Sequence, residues 1–260
     1  MNVEGRPLVS IVMPAFNARR YIAEAIGSVK NQTYGDWELL VVDDASTDET
    51  ADIVRTFQRE DPRILYSRNP DNQGVVRSRN NALDMARGRY VAFLDADDAW
   101  ERCKLERQVS FMEETGVPIS YGDYLRVDDD GHVVGKVVAP EILRYDDMLK
   151  SNFIGNLTGI FRRSELAGLR FEDIKHEDYL FWLRALARTG PARATPAGEP
   201  IARYRVSANS LSANKLKAAR WQWRIYRSGL GLSVFRSMGF FLCYTWYAVA
   251  KRGIWHKLNR

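Results

Sequence analysis

Short apolar runs alternate with amphipathic stretches over the first hundred residues, a rhythm that predicts parallel strands covered by helices. Leu8 to Met13 (LVSIVM) reads as a buried strand, and Tyr21, Ile22, Ala25, Ile26 and Val29 recur at helical spacing across Ala18 to Gln32. Trp37 to Val42 (WELLVV) is a second strand. Ser46, with Glu49 three residues on, has the pattern of a capping box for the next helix. Arg63 to Ser67 is a short third strand and Val75 to Arg87 a helix stopped by Gly88. Tyr90 to Leu94 (YVAFL) is a fourth strand, with a helix from Trp100 to Glu114 behind it. Beyond this the alternation weakens. Ile119 to Val138 reads as antiparallel, turning at Asp128 to Gly131. Asn152 to Phe161 is a second landmark, and His176 to Arg188 is an amphipathic helix with Tyr179, Leu180, Leu183, Leu186 and Ala187 on its apolar face. A loop holding Pro191, Pro196 and Pro200 leads into Ile201 to Val206.

With 260 residues, 45% of them apolar, the chain can bury a full core and is not a disordered segment. Its net charge of +5 conceals a division. Glu199 is the last acid, and Arg203 to Arg260 hold 12 Lys and Arg, which leaves 26 bases against 33 acids in front of them. From Lys215 a basic amphipathic helix is predicted, with Lys217, Arg220, Arg224 and Arg227 interleaved with Trp221, Trp223, Ile225 and Tyr226. Met238 to Ala250 is nearly all apolar and is followed by Lys251, Arg252, His256, Lys257 and Arg260. That run falls short of the about 20 residues that cross a bilayer. Aromatics flanked by cations fit a helix lying on an anionic membrane surface; a core helix or a dimer contact is the competing reading. Cys103 and Cys243 form no ligand cluster, and Met1 to Pro7 lacks the apolar stretch of a secretory signal, so the expected place is the cytoplasm.

Candidate chemistry sits where the strands end. In open α/β sheets ligands bind beyond the carboxyl ends of the strands, so Pro14 to Asn17, Asp43 with Asp44, and Asp95 to Asp98 are expected to converge. Three carboxylates at Asp95, Asp97 and Asp98 repel one another unless a cation arrives, and Mg²⁺ or Mn²⁺ prefers oxygen ligands and leaves positions open for phosphates. A carboxylate at the end of the second strand can accept a hydrogen bond from a base or a ribose. The apolar ring of Phe16 can hold a planar base. Turn and capping roles are the plainer alternative for each acid.

The segments VSIVMPAFN, LLVVDDAST, NQGVVRSRNNAL and YVAFLDADD together resemble family 2 of the inverting glycosyltransferases, which have the nucleotide-diphospho-sugar (GT-A type) fold. The resemblance runs from about Leu8 to about Arg227, and with the segment Tyr204 to Lys215 (YRVSANSLSANK) it extends to members that build bacterial surface polysaccharides such as teichuronic acid, capsule or lipopolysaccharide. It implies an α/β fold with a mostly parallel central sheet flanked by helices, to which the tail adds a helical basic extension. Residues 1–227 would form the transferase domain, 1–115 its donor half and 116–227 its acceptor half, with 228–260 a membrane-interface segment.

The resemblance also implies roles. Pro14, Ala15, Phe16, Asn17, Asp44, Arg79, Asp95, Ala96 and Asp97 would bind the nucleotide sugar, a UDP-sugar by likeness, and Asp97 with Asp95 would hold a divalent Mn or Mg. Asp178 would be the catalytic base, with Glu177 and Trp182 toward the acceptor. Displacement at an anomeric carbon needs a base opposite the leaving diphosphate, and Asp178 opens a helix where such a base is expected. Trp182, one turn on, can stack on a sugar or pack in the core. His176 fits a cap better than a metal ligand. Many relatives carry a His after the YRV triplet where this chain has Ser207, and Arg205, Ser210, Ser212 or Lys215 would have to take its place on the phosphates. The expected reaction is inverting transfer of a sugar to a saccharide hydroxyl, on a lipid-linked acceptor at the inner face of the cell membrane, with no role for nucleic acid. A sugar nucleotidyltransferase is the alternative within enzymes, and a catalytically silent membrane-surface protein of the same fold is the alternative outside them. The segment PAFNARRYI lacks the glycine-rich basic loop that the first of these needs.

Overall fold

The computed structural model describes residues 8–196, 198–206 and 215–258. The first half is built from strand β1 (Val9–Ala15), helix α1 (Ile22–Lys30), β2 (Trp37–Asp43), α2 (Thr50–Glu60), β3 (Ile64–Arg68), α3 (Val75–Met85) and β4 (Tyr90–Phe93). There follow β5 (Ala99–Trp100), α4 (Lys104–Thr115), β6 (Ile119–Tyr121), β7 (Tyr124–Val127), β8 (Val133–Val137), β9 (Ile142–Leu143) and α5 (Tyr145–Lys150). The last elements are β10 (Ile160–Arg162), α6 (Glu177–Thr189), β11 (Ala192–Ala194), β12 (Ala202–Arg205), α7 (Lys215–Arg224) and α8 (Val234–Leu258).

Eight strands form one mixed sheet in the order β3-β2-β1-β4-β10-β6-β11-β9. Its first four strands are parallel, as the apolar runs predict, while β10 lies antiparallel to both β4 and β6. Those runs are continuous because both faces are covered. Val12, Leu40, Val91 and Phe93 point into one core, and Ile11, Met13, Leu39, Val41 and Ala92 into the other. Val9, Ile11, Val12 and Met13 are all fully buried, each stabilising the sheet by about 2 kcal/mol. The register sets Ala15 beside Asp43, and the N–H of Leu94 donates to Val12 O, so β1, β2 and β4 end at about one level.

Two expectations about elements are corrected and a third, the antiparallel reading of residues 119–138, holds in finer form. Ser46 does not cap α2. The helix starts at Thr50, whose N–H donates to Asp48 Oδ1 at 3.0 Å, while Ser46 Oγ accepts from the N–H of Asn17 at 2.9 Å. Trp100 does not begin a helix: with Ala99 it pairs antiparallel to β12, and α4 starts at Lys104. Residues 119–138 are divided between sheets, because β6 joins the large one while β7 and β8 form a hairpin in a second sheet of order β5-β12-β7-β8. The turn of that hairpin falls at Asp128 to Gly131, as predicted.

The basic C-terminal segment is packed rather than loosely appended. After α7 a π-helical turn (Ile225–Gly229) buries Ile225 and Tyr226 completely, and Trp223 packs edge-on against Phe241 of α8 at 5.9 Å between ring centroids. The aromatics expected to lie among the cations at an interface thus face the protein. Met238, Leu242 and Trp246 of the apolar run lie with Phe235 on the outer side of α8, with Phe235 85% and Trp246 71% exposed. Among the described residues no helix is long and apolar enough to cross a membrane.

Candidate active site

A cavity of about 530 Å³ opens where β1, β2 and β4 end, and α3 closes its side. Pro14, Ala15, Phe16, Asn17, Asp44, Arg79, Asp95, Ala96 and Asp97 all line it, as do Asn72, Gly74 and Ser78 of the NQGVVRSRNNAL segment. The ring of Phe16 is 49% exposed there. The non-glycine residues with positive φ among those described are Asn17, Ala45 and His176, and Asn17 and Ala45 belong to the loops after β1 and β2. Such geometry costs about 1–3 kcal/mol per residue, so the surroundings must enforce it. Lacing between the two loops does so. Asn17 Oδ1 accepts from the N–H of Thr47 at 2.8 Å, and the N–H of Ala18 donates to Thr50 Oγ1 at 2.8 Å.

Asp43 and Asp44 part company. Asp43 is fully buried and accepts from Tyr66 Oη at 2.7 Å and from the N–H of Ser46 at 2.8 Å, a structural role. Asp44 lines the cavity and gathers the loop before α3, accepting from Asn69 Nδ2 at 2.7 Å and from the N–H groups of Gln73 at 2.9 Å and Gly74 at 2.7 Å. Burial pushes its carboxyl up, but the hydrogen bonds from Gln73, Asn69, Gly74 and Ser78 prevail and hold it below the ordinary value. It stays an anion while facing the cavity. Gly74, at φ 85°, supplies the left-handed turn that aims its N–H at this carboxylate.

The three acids after β4 do not form one cluster. Asp98 turns inward, only 4% exposed, and accepts from the N–H of Arg205 at 2.9 Å. Burial, with Asp97 and Asp95 near, pushes its carboxyl well up. Asp95 accepts from Arg79 Nη2 at 2.6 Å. Asp97 is exposed at the cavity and has no cationic side chain in ion-pair contact among the described residues; desolvation and the charge of Asp95 push its carboxyl up. An uncompensated oxygen donor beside a second carboxylate fits a hard divalent cation that takes its remaining ligands from phosphate and water. Among the described residues no cage of three protein ligands lies there. Among the described residues the set whose ligand atoms come within 4.8 Å of one another is Asp128, Asp130 and His132, at the exposed β7–β8 turn. Their contacts are those of a turn, with Asp128 Oδ1 accepting from the N–H groups of Asp130 and His132.

Arg79 is nearly buried and does more than face a diphosphate. Its Nη1 donates to Glu177 Oε1 at 2.7 Å while Nη2 holds Asp95. Burial pulls against its charge, but Asp95, Glu177 and Asp178 more than restore it. Asp178, in the first turn of α6, is half-buried, and burial and the neighbouring Glu177 push its carboxyl above the ordinary value. His176 precedes the helix in left-handed geometry and sets its ring edge-on to Trp221 at 5.3 Å, a packing role.

Two expected ligands are withdrawn. Trp182 has no exposed surface: it packs edge-on against Phe93 and Phe181, and Nε1 donates to Asn156 Oδ1 at 3.2 Å. It cannot stack on an acceptor. Arg205 is not free to meet phosphates, because its guanidinium donates to the backbone oxygens of Asp97 and Asp128 and to Glu24 Oε2 at 2.7 Å. Ser207, Ser210 and Ser212 lie outside the described residues, as does the side chain of Lys215.

The description "Glycosyl transferase family 2" fits residues 10–176 of the sequence. The chain belongs to that family. Its similarity to single family 2 proteins runs nearly end to end. It is 40% identical over 249 residues to TuaG of Bacillus subtilis, a glycosyltransferase named for teichuronic acid biosynthesis, covering 95% of this chain and 98% of that one. It is 41% identical over 218 residues to WfgD of Escherichia coli, a UDP-Glc:alpha-D-GlcNAc-diphosphoundecaprenol beta-1,3-glucosyltransferase, covering 84% of this chain and 85% of that one. Among solved structures, S. aureus TarS 1–349 in complex with UDP-GlcNAc superposes with a TM-score of 0.72 at 20% identity, over 91% of this chain and 71% of that one. The mannosyltransferase PcManGT from Pyrobaculum calidifontis, in complex with GDP-Man and Mn²⁺, gives 0.68 at 18% identity, over 95% and 74%. At those identities the likeness speaks for the fold. This family 2 glycosyltransferase is thus an enzyme of the GT-A type, and the nucleotidyltransferase alternative falls away.

Proposed function

We propose that this family 2 glycosyltransferase moves a glycosyl group from a UDP-sugar, with inversion at the anomeric carbon, to a hydroxyl of a lipid-linked saccharide during assembly of a surface polysaccharide. One observation carries the reading: the donor cavity and the carboxylates of α6 are joined in one site through Arg79. The names of TuaG and WfgD support the pathway class and a diphospholipid-borne acceptor.

Phe16 offers an apolar surface to the base, and Asp44, held as an anion, accepts from it or from the ribose. Asp97, with Asp95, would hold Mn²⁺ or Mg²⁺, which when bound supplies positive charge to the departing diphosphate. Asp178 receives the proton of the attacking hydroxyl. Its raised pKa makes it a stronger base than an ordinary carboxylate. Glu177, tied to Arg79, fixes the turn that presents it.

The place of work is the inner face of the membrane, as a peripheral protein. The outer stripe of α8 supplies apolar contact, and the acid-free tail supplies attraction to anionic lipid. Titration calorimetry with UDP tests the donor half. Binding is expected to strengthen when Mn²⁺ is present in wild type and to lose that dependence in Asp97→Ala; equal metal dependence in both proteins would overturn the assignment.

A further inference from the structure

Trp182 is enclosed in the core and offers no surface to a sugar ring. Four aromatic side chains are open to solvent over about two-fifths or more of their surface among the described residues: Phe16 in the donor cavity, Phe235 and Trp246 on α8, and Tyr204, at 41%. Tyr204 belongs to β12, which runs antiparallel to β5 with Ala202 opposite Trp100 and Arg203 opposite Ala99, so the next step of the register sets Tyr204 across from Asp98. The following residue clamps the arrangement, since Arg205 donates from its backbone to Asp98 and from its side chain to Asp97 O. Tyr204 is therefore fixed beside the loop that carries Asp95 and Asp97.

A second ring adjoins it. Tyr124 of β7 lies edge-on to Tyr204, with centroids 6.2 Å apart and planes at 76°. Its other side rests on Gly155, where a Cβ would come within 2.9 Å of a ring carbon. Neither phenol hydroxyl makes a hydrogen bond among the described residues. Burial raises the Tyr124 hydroxyl against the pull of the nearby Arg126 cation, with Asp98 and Asp178 adding to the rise, while the Tyr204 hydroxyl is pushed up to about 12 by burial and by Asp98, Asp97 and Asp95. Both phenols stay protonated and able to donate.

We propose that Tyr204 and Tyr124 form the binding wall for the acceptor saccharide, with the apolar face of an uncharged pyranose lying on Tyr204 and ring hydroxyls meeting the two phenols. This rests on the transferase reading above and deepens it. An aromatic wall beside the loop of Asp95 and Asp97 suits a neutral polyhydroxylated ring better than a uronic acid.

Saturation-transfer NMR on the full chain with UDP and Mn²⁺ tests it, with methyl glycosides of glucose and N-acetylglucosamine and with methyl glucuronide as probes. Wild type is expected to bind a neutral glycoside and not the glucuronide. Tyr204→Ala and Tyr204→Ser are expected to weaken that binding roughly tenfold, and Tyr204→Phe to keep most of it, with UDP affinity unchanged in all three. Glycoside binding that is absent from wild type, equal in the Ala and Ser variants, or matched by the glucuronide would overturn the wall. Loss of UDP binding in wild type would instead overturn the donor reading.

Discussion

Arg79 of α3 and Glu177 of α6 stand 98 positions apart in the chain and 2.7 Å apart in the fold, and the same guanidinium holds Asp95 at 2.6 Å. One buried cation thus couples the loop that carries Asp97 to the turn that presents Asp178. Lysine has a single ammonium and cannot serve both carboxylates in the fixed fork of arginine. Arg79→Lys is expected to cut transfer by about a hundredfold or more, and Arg79→Ala also to lower stability by about 2–3 kcal/mol, since two partly buried acids lose their counter-charge. Denaturant melts and initial rates check both. Unchanged rates in Arg79→Lys would dismiss the coupling.

Asp97 has the opposite profile. Its carboxylate is exposed, faces like charge and has no cationic partner among the described residues, so Asp97→Asn should leave the melting temperature equal or slightly higher while donor binding in Mn²⁺ weakens. A marked fall in melting temperature would mean that the carboxylate braces the loop.

The raised pKa of Asp178 has a signed consequence for stability. A carboxyl whose folded pKa exceeds its unfolded value favours folding while protonated, and that contribution is lost as pH rises through the folded pKa. Asp178→Asn should therefore melt higher than wild type near neutral pH, with the gap closing in acid below the ordinary carboxylate value. Wild-type kcat should fall as pH drops through the raised pKa. A gap that widens in acid would contradict the sign.

Much of this was legible in the sequence for a physical reason. Strands buried on both faces leave continuous apolar runs, and the polar residues that interrupt them, Pro14 to Asn17, Asp44 and Asp95 to Asp97, mark where the chain emerges into the cavity. Long-range commitments leave no such mark. Trp182 shares a helix face with Asp178 by spacing, but α6 is buried on nearly all sides and nothing local says so. Arg205 looks available until Glu24, 181 positions away, is seen to claim it. Likewise, the uniform positive charge after Glu199 hides that Phe240 and Phe241 turn inward on α8 while Phe235 and Leu242 turn outward.

Gly159 sits under the ring of Trp182, where a Cβ would come within 2.1 Å of a ring carbon. The ring is fully enclosed and cannot retreat, so Gly159→Ala is expected to destabilise the fold by about 2–4 kcal/mol. Thermal melts measure it, and a shift near zero would mean that the aromatic cluster can repack.

The outer face of α8 predicts vesicle binding. Wild type should float with phosphatidylglycerol vesicles, less so at high salt, and the combined Phe235→Ser, Leu242→Ser and Trp246→Ser variant should bind roughly tenfold more weakly with unchanged donor binding. Equal flotation would leave the stripe without this role.

The central claim is inverting transfer by Asp178 on a donor held at Asp97. The most direct test is proton NMR of the product formed from an α-linked UDP-sugar and an N-acetylglucosamine diphospholipid in Mn²⁺, with Asp178→Asn run in parallel. The account predicts a β-linked product, and a loss of about 10²–10⁴-fold in rate for Asp178→Asn with UDP binding intact. An α-linked product, or full transfer by Asp178→Asn, would contradict it.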